Sequence, residues 1–158
     1  MKNTFYSIDP ESGYGRSPIR VKPEIEIDYF ELFNQSSEII KRNNFNAVKG
    51  KKWNDILPFY ESLHFLVSEK FKNVIETYNL TGIEFFPVNI NLKPEKKYFG
   101  FILKHTAGPI LDKEKAMFEF GPTKFDEETW NGSDFFTLEG TKVIAISEKA
   151  KEVLENEN

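Results

Sequence analysis

The chain has 158 residues, 39% of them hydrophobic, enough for one sizeable core and too few for two full domains, so residues 1–158 are expected to form a single domain. Its 25 acidic against 21 basic residues give a net charge of −4, which excludes a protein that coats nucleic acid. Cysteine is absent, which excludes disulfides, thiolate metal sites and cysteine nucleophiles. No run approaches the roughly 20 apolar residues of a membrane-spanning helix, and Met1–Asp9 has no apolar signal-peptide core, so a cytoplasmic location is expected.

In chain order, residues 1–28 read as a loop-rich segment followed by a strand. Pro10, Gly13, Gly15, Pro18 and Pro23 punctuate the backbone, and Arg20 to Asp28 alternates, with Val21, Ile25 and Ile27 facing one way and Lys22, Glu24, Glu26 and Asp28 the other. The spacing of Tyr29, Phe30, Leu32, Phe33, Ile39 and Ile40 predicts a helix through Arg42. Lys49-Gly50-Lys51-Lys52 and Lys93-Pro94-Glu95-Lys96-Lys97 read as solvated turns. Tyr98 to Leu103 is apolar and short, as for a buried strand, and Gly100 within it suggests a bulge or close packing. Ala107-Gly108-Pro109 is a turn, and Met117 to Phe120 a short strand ended by Gly121-Pro122.

Two segments echo each other at an offset of 79 residues: Phe65 to Glu76 aligns without gaps on Ile144 to Glu155, and the same offset pairs Asp55 with Asp134. Each copy reads as a short apolar strand, a Ser able to cap a helix, and a helix opening on Glu, which complements the positive helix end. Phe71, Val74, Ile75 and Tyr78 form the core-facing stripe of the first helix; Ala150, Val153 and Leu154 form that of the second. Gly82 is expected to end the first helix before a strand over Ile83 to Val88. The fold class is therefore α+β: one domain, a mixed or antiparallel sheet flanked by at least three helices, and a repeated strand, Ser-cap, helix unit.

Several constellations invite a chemical reading. His105 at a strand end, with Asp112 seven residues on, could form a base and its orienting carboxylate for a small hydrolase, but no nucleophile accompanies them, and Ser68 and Ser147 already serve as caps. His64 and His105 read as ordinary structural histidines. Glu24, Glu26 and Asp28 could serve a metal-dependent enzyme, yet alternation on a strand describes the wet side of a sheet equally well. Gly13-Tyr14-Gly15-Arg16-Ser17 lacks phosphate-loop spacing. No catalytic, metal or cofactor site is assigned. The segment Phe125 to Asp134 joins four acids to Trp130; Asp126, Glu127 and Glu128 could steer a basic protein partner, with Trp130 as an anchor, although Trp130 could equally pack beneath the second repeat as Trp53 could beneath the first.

Phe65-Leu66-Val67-Ser68-Glu69-Lys70-Phe71-Lys72, Leu80-Thr81-Gly82-Ile83-Glu84-Phe85-Phe86-Pro87-Val88, Tyr98-Phe99 and Leu111-Asp112-Lys113-Glu114-Lys115 together resemble the DUF1629 group, immunity protein family 11. Its closing phrase is similar to Asp134-Phe135-Phe136 through Ser147-Glu148, so the resemblance covers residues 55–158, although Ala116 stands where the family shows Ser. The resemblance implies a non-catalytic antidote of a bacterial polymorphic toxin system, which binds and neutralises a cognate toxin. A small enzyme and a scaffold or adaptor module are the alternatives, the one expected to show a pocket of converging titratable groups, the other a self-complementary face.

Overall fold

The computed structural model describes residues 3–8, 17–26, 44–60, 64–111 and 124–157. The helix expected over Tyr29–Arg42 and the strand expected over Met117–Phe120 lie outside these residues. The chain is α+β: ten strands fall into two mixed sheets, and two α-helices occur among the described residues. It forms two compact units, each assembled from separate stretches of chain.

One unit comprises Asp9–Asn73 and Glu84–Ile102. It is built on a six-stranded sheet, in the order β2 (Arg20–Pro23), β3 (Asn44–Lys49), β6 (Ile83–Asn91), β7 (Tyr98–Leu103), β5 (Phe65–Ser68) and β4 (Ile56–Pro58). The two outer strands then meet. Val21 bridges to Phe59, Tyr60 N–H donates to Val21 O at 2.8 Å, and Ile19 N–H donates to Lys52 O at 2.9 Å, so the sheet closes on itself. Closure satisfies edge groups that an open sheet leaves exposed. Inside lie Ile19, Val21, Phe45, Leu57, Phe59, Leu66, Phe86 and Tyr98, all buried. Trp53 stacks on Tyr98 at 5.4 Å.

The other unit comprises Met1–Ile8, Val74–Ile83 and Leu103–Asn158. Its four-stranded sheet runs β1 (Phe5–Ser7), β10 (Ile144–Ser147), β9 (Phe135–Leu138), β8 (Thr106–Ala107), antiparallel except for the β8–β9 pair. Ala107, Phe125, Phe136, Leu138 and Ala145 form the core, with Phe5, Ile110, Trp130 and Val143 packed against it. Phe5 touches three rings, those of Trp130, Phe125 and Phe136, at 4.9, 5.0 and 5.5 Å.

Both helices begin as their sequences require. Ser147 caps α2 (Glu148–Asn156) by accepting from Ala150 N–H at 3.2 Å, and its hydroxyl donates to Asp134 Oδ1 at 2.7 Å. Ser68 accepts from Phe71 N–H at 3.1 Å at the head of α1 (Glu69–Thr77), while its hydroxyl donates to Asp55 Oδ1 at 2.5 Å. Each Ser thus satisfies an orphan helix N–H and is itself oriented by a carboxylate.

Three expectations are corrected. The helix α1 is ended by Asn79 and not by Gly82: Asn79 adopts φ +51°, its N–H donates to Glu76 O, and Leu80 N–H donates to Ile75 O, the paired bonds of a left-handed C-terminal cap. Gly82, at φ +90°, serves a close approach instead, since a Cβ there would stand 2.1 Å from the carbonyl oxygen of Phe135. Tyr78 leaves the core stripe; it is exposed, and its hydroxyl donates to Glu157 at 2.6 Å. Strand β2 stops at Pro23, and Ile25 is 64% exposed, because the ladder continues only to Glu24 N–H donating to Asn44 O.

Asp134 is buried and accepts from Ser147 Oγ and from both Thr81 N and Thr81 Oγ1, whereas Asp55 is partly open to solvent. Removing a buried acceptor strands its donors without water to replace it, so Asp134→Ala is expected to cost about 3 kcal/mol and Asp55→Ala about 1 kcal/mol. Urea denaturation of the two variants measures the difference.

Candidate functional site

The acidic segment is held in place by the backbone before it is shaped by its own side chains. Ile110 and Phe125 form an antiparallel bridge, Leu111 N–H donates to Lys124 O at 2.9 Å, and Asp126 N–H donates to Pro109 O at 3.0 Å. Asp126 then caps a single 3-10 turn, Glu127–Thr129, accepting from Glu128 N–H at 3.2 Å. Thr129 locks the turn from the far side: its hydroxyl donates to Asp126 O at 2.6 Å and accepts from Gly108 N–H at 2.8 Å. His105 Nε2 lies 3.0 Å from Thr129 O. A carbonyl can only accept, so Nε2 carries the proton of that bond.

This places the predicted partner-binding residues as follows. Glu128 is exposed, and Asp126 and Glu127 are half-buried, with Asn3 Nδ2 donating to Glu127 Oε2 at 3.5 Å. Trp130 is half-buried: its ring packs on Phe5 and Phe136, and its Nε1–H donates to Ser133 O at 2.8 Å. The indole thus braces the turn from beneath. Asp134, the fourth acid of the segment, is buried in the cap of α2 and takes no part in the acidic surface.

The chemical alternatives are placed differently. Asp112 and Asp28 lie outside the described residues, and Glu24 accepts from Asn44 Nδ2 at 3.3 Å. Among the described residues no group of three or more His, Asp or Glu side chains is arranged to hold a metal ion. The hydroxyls of Ser68 and Ser147 are both committed to helix caps and carboxylates. His64 sits in an aromatic cage of Phe59, Phe101 and Phe65, at 5.0, 5.1 and 6.2 Å.

A second polar surface had no counterpart in the sequence reading. Asn44 and Asn46 on β3 stand opposite Asn89 and Asn91 on β6, and the facing carboxamides hydrogen-bond at 3.4 Å. The signal was present as two Asn-x-Asn pairs, but neither segment announces which strand it pairs with. Charge also divides unevenly. The unit bearing the acidic turn holds 13 acidic and 8 basic residues, and the other 12 and 13, which together make the chain's 25 and 21.

The fold is that of an α+β protein with an acidic, braced turn, and residues 16–158 match the model of an immunity protein family. That family is Imm11, and the chain belongs to it. No curated protein matches the chain significantly. No helix among the described residues is long and apolar enough to cross a membrane.

Burial lowers the His64 pKa from 6.5 to about 4. Between these values the unfolded chain binds a proton that the folded chain does not, so this contribution to stability is complete above pH 6.5, falls as pH drops toward 4, and levels off below it. NMR titration should find the His64 ring still neutral at about pH 5, and His64→Phe should flatten the loss of stability over the same range.

Proposed function

We propose that this chain is a non-catalytic immunity protein that binds and neutralises a cognate toxin in the cytoplasm of the cell that makes it. The observation that carries the reading is the family match over residues 16–158, which takes in most of both units. The full 158 residues act as one immunity domain within a polymorphic toxin system. The partner is a basic toxin, neither nucleic acid nor membrane, and no cofactor takes part. The acid surplus of the unit that carries Asp126, Glu127 and Glu128 supports this, because opposite charge accelerates encounter and suppresses wrong partners. Trp130 contributes by holding the turn in shape, which lowers the ordering cost of binding.

The same domain is built on two copies of one strand, Ser-cap, helix unit. Several matches at an offset of 79 residues support this. The β4–β5 pairs Ile56–Val67, Leu57–Leu66 and Pro58–Phe65 correspond to the β9–β10 pairs Phe135–Ile146, Phe136–Ala145 and Thr137–Ile144. Ser68 N–H donates to Asp55 O as Ser147 N–H does to Asp134 O, and Lys70 and Lys149 face the same two carboxylates.

The test combines capture and charge removal. The wild-type chain, used as bait in native lysate, should retain one stoichiometric partner carrying a toxin domain. Replacing Asp126 by Asn and Glu127 and Glu128 by Gln should slow association with that partner about tenfold at low salt, with the gap closing as salt rises. Unchanged association and unchanged protection of toxin-expressing cells would show that the acidic turn is the wrong surface.

A further inference from the structure

Asparagine is a poor strand former, and four of them share one outward face of two neighbouring strands. Asn44 and Asn46 on β3 are in register with Asn89 and Asn91 on β6, and their carboxamides pair across the strands. The pairs are exposed and their bonds long, so they return little stability for the propensity they forgo. A local choice that runs against the fold marks a place where something besides folding is served.

Asn44, Asn89 and Asn91 border an open groove of about 800 Å³ within a single unit. Glu24, Glu95, Lys96 and Lys97 line it as well, together with apolar side chains of β6 and β7, and its size is in the range of ligand-holding clefts. The lining charges balance, and several are already engaged: Glu24 with Asn44, Glu95 with Lys93, and Lys97 with Glu69 at 3.2 Å. A groove without net charge has nothing to concentrate a polyanion or a phosphate. What it offers is a row of carboxamides, each an uncharged donor and acceptor together, which is the hydrogen-bonding pattern of the peptide group.

We infer that this groove receives an extended polypeptide segment of the partner toxin, whose backbone amides pair with Asn44, Asn89 and Asn91. The inference rests on the immunity reading and adds to it a contact surface of different chemistry: the acidic turn governs the speed of encounter, and the carboxamide groove holds the bound segment. Loss at the groove therefore appears in dissociation, whereas loss at the acidic turn appears in association.

The test uses the full chain and the double variant Asn89→Thr/Asn91→Thr, because threonine suits a strand and removes the carboxamides. Both proteins serve as bait in native lysate from cells shown to contain the toxin, and the polypeptide retained by the wild type is purified and titrated against each. The expected result is a thermal midpoint at or above that of the wild type, together with dissociation at least tenfold faster. Equal dissociation from both proteins overturns the groove and leaves the immunity reading intact. A midpoint several degrees lower with unchanged binding also overturns it, since the asparagines would then be structural. A wild-type bait that retains no stoichiometric partner overturns both readings.

Discussion

The carboxylate of Asp134 is the constraint on which one unit of this protein turns. It is buried, and one of its oxygens accepts from the hydroxyl of Ser147 while the other accepts from the backbone and side chain of Thr81. Three segments therefore meet at one side chain: the start of β9, the head of α2 and, from much earlier in the chain, the turn that follows α1. Lys149, 3.5 Å away, balances its charge from the solvent side. A buried carboxylate is tolerated only where donors fill its lone pairs, and here the donors come from groups that the helix and the turn would otherwise leave unpaired. Asp55 holds Ser68 in the same manner at a more exposed position, with Lys70 at 3.8 Å.

The elements legible in the sequence were those whose causes are local. Ser68 and Ser147 before Glu, with apolar strands in front, specify strand, cap and helix without reference to anything distant. Tyr98 to Leu103 reads as a strand by the same logic. The departures arose where a distant partner decides. Asn79 and Gly82 both accept a positive φ, and only the nearness of the Phe135 carbonyl shows that the glycine is needed for space while the asparagine ends the helix. Ile25 looked inward by alternation, but the strand ends at Pro23, so the alternation lost its meaning two residues earlier. The strand over Asn44–Lys49 is not announced by its sequence, because its two asparagines and its lysine carry little strand propensity, and neighbours on both sides supply what the sequence lacks.

The candidate surface was legible in part for the same reason. Acids beside a tryptophan are visible in any sequence, but composition does not separate a side chain that reaches outward from one that props a loop. Asp126 spends its carboxylate on capping its own turn, Trp130 is packed among Phe5 and Phe136, and Asp134 belongs to a helix cap. Glu128 remains the exposed acid at the tip. The rest of the order in this turn comes from Thr129, Gly108 and His105, none of which is acidic. A surface held so closely by its own neighbours loses little conformational freedom when a partner meets it.

Strand order has a consequence for the way the protein is made. Phe5 leaves the ribosome long before its partner Ser147, and β10 lies between β1 and β9 at the middle of its sheet. The sheet cannot assemble until β10 has been synthesised, so Phe5 and its neighbours wait without their partners while the residues between are added. The six-stranded sheet, by contrast, draws all its strands from residues 20–103 and can close before β9 and β10 have been made. Synthesis therefore yields one finished unit before the other can be completed, and a ribosome that halts short of β10 releases a chain whose β1 has nothing to pair with.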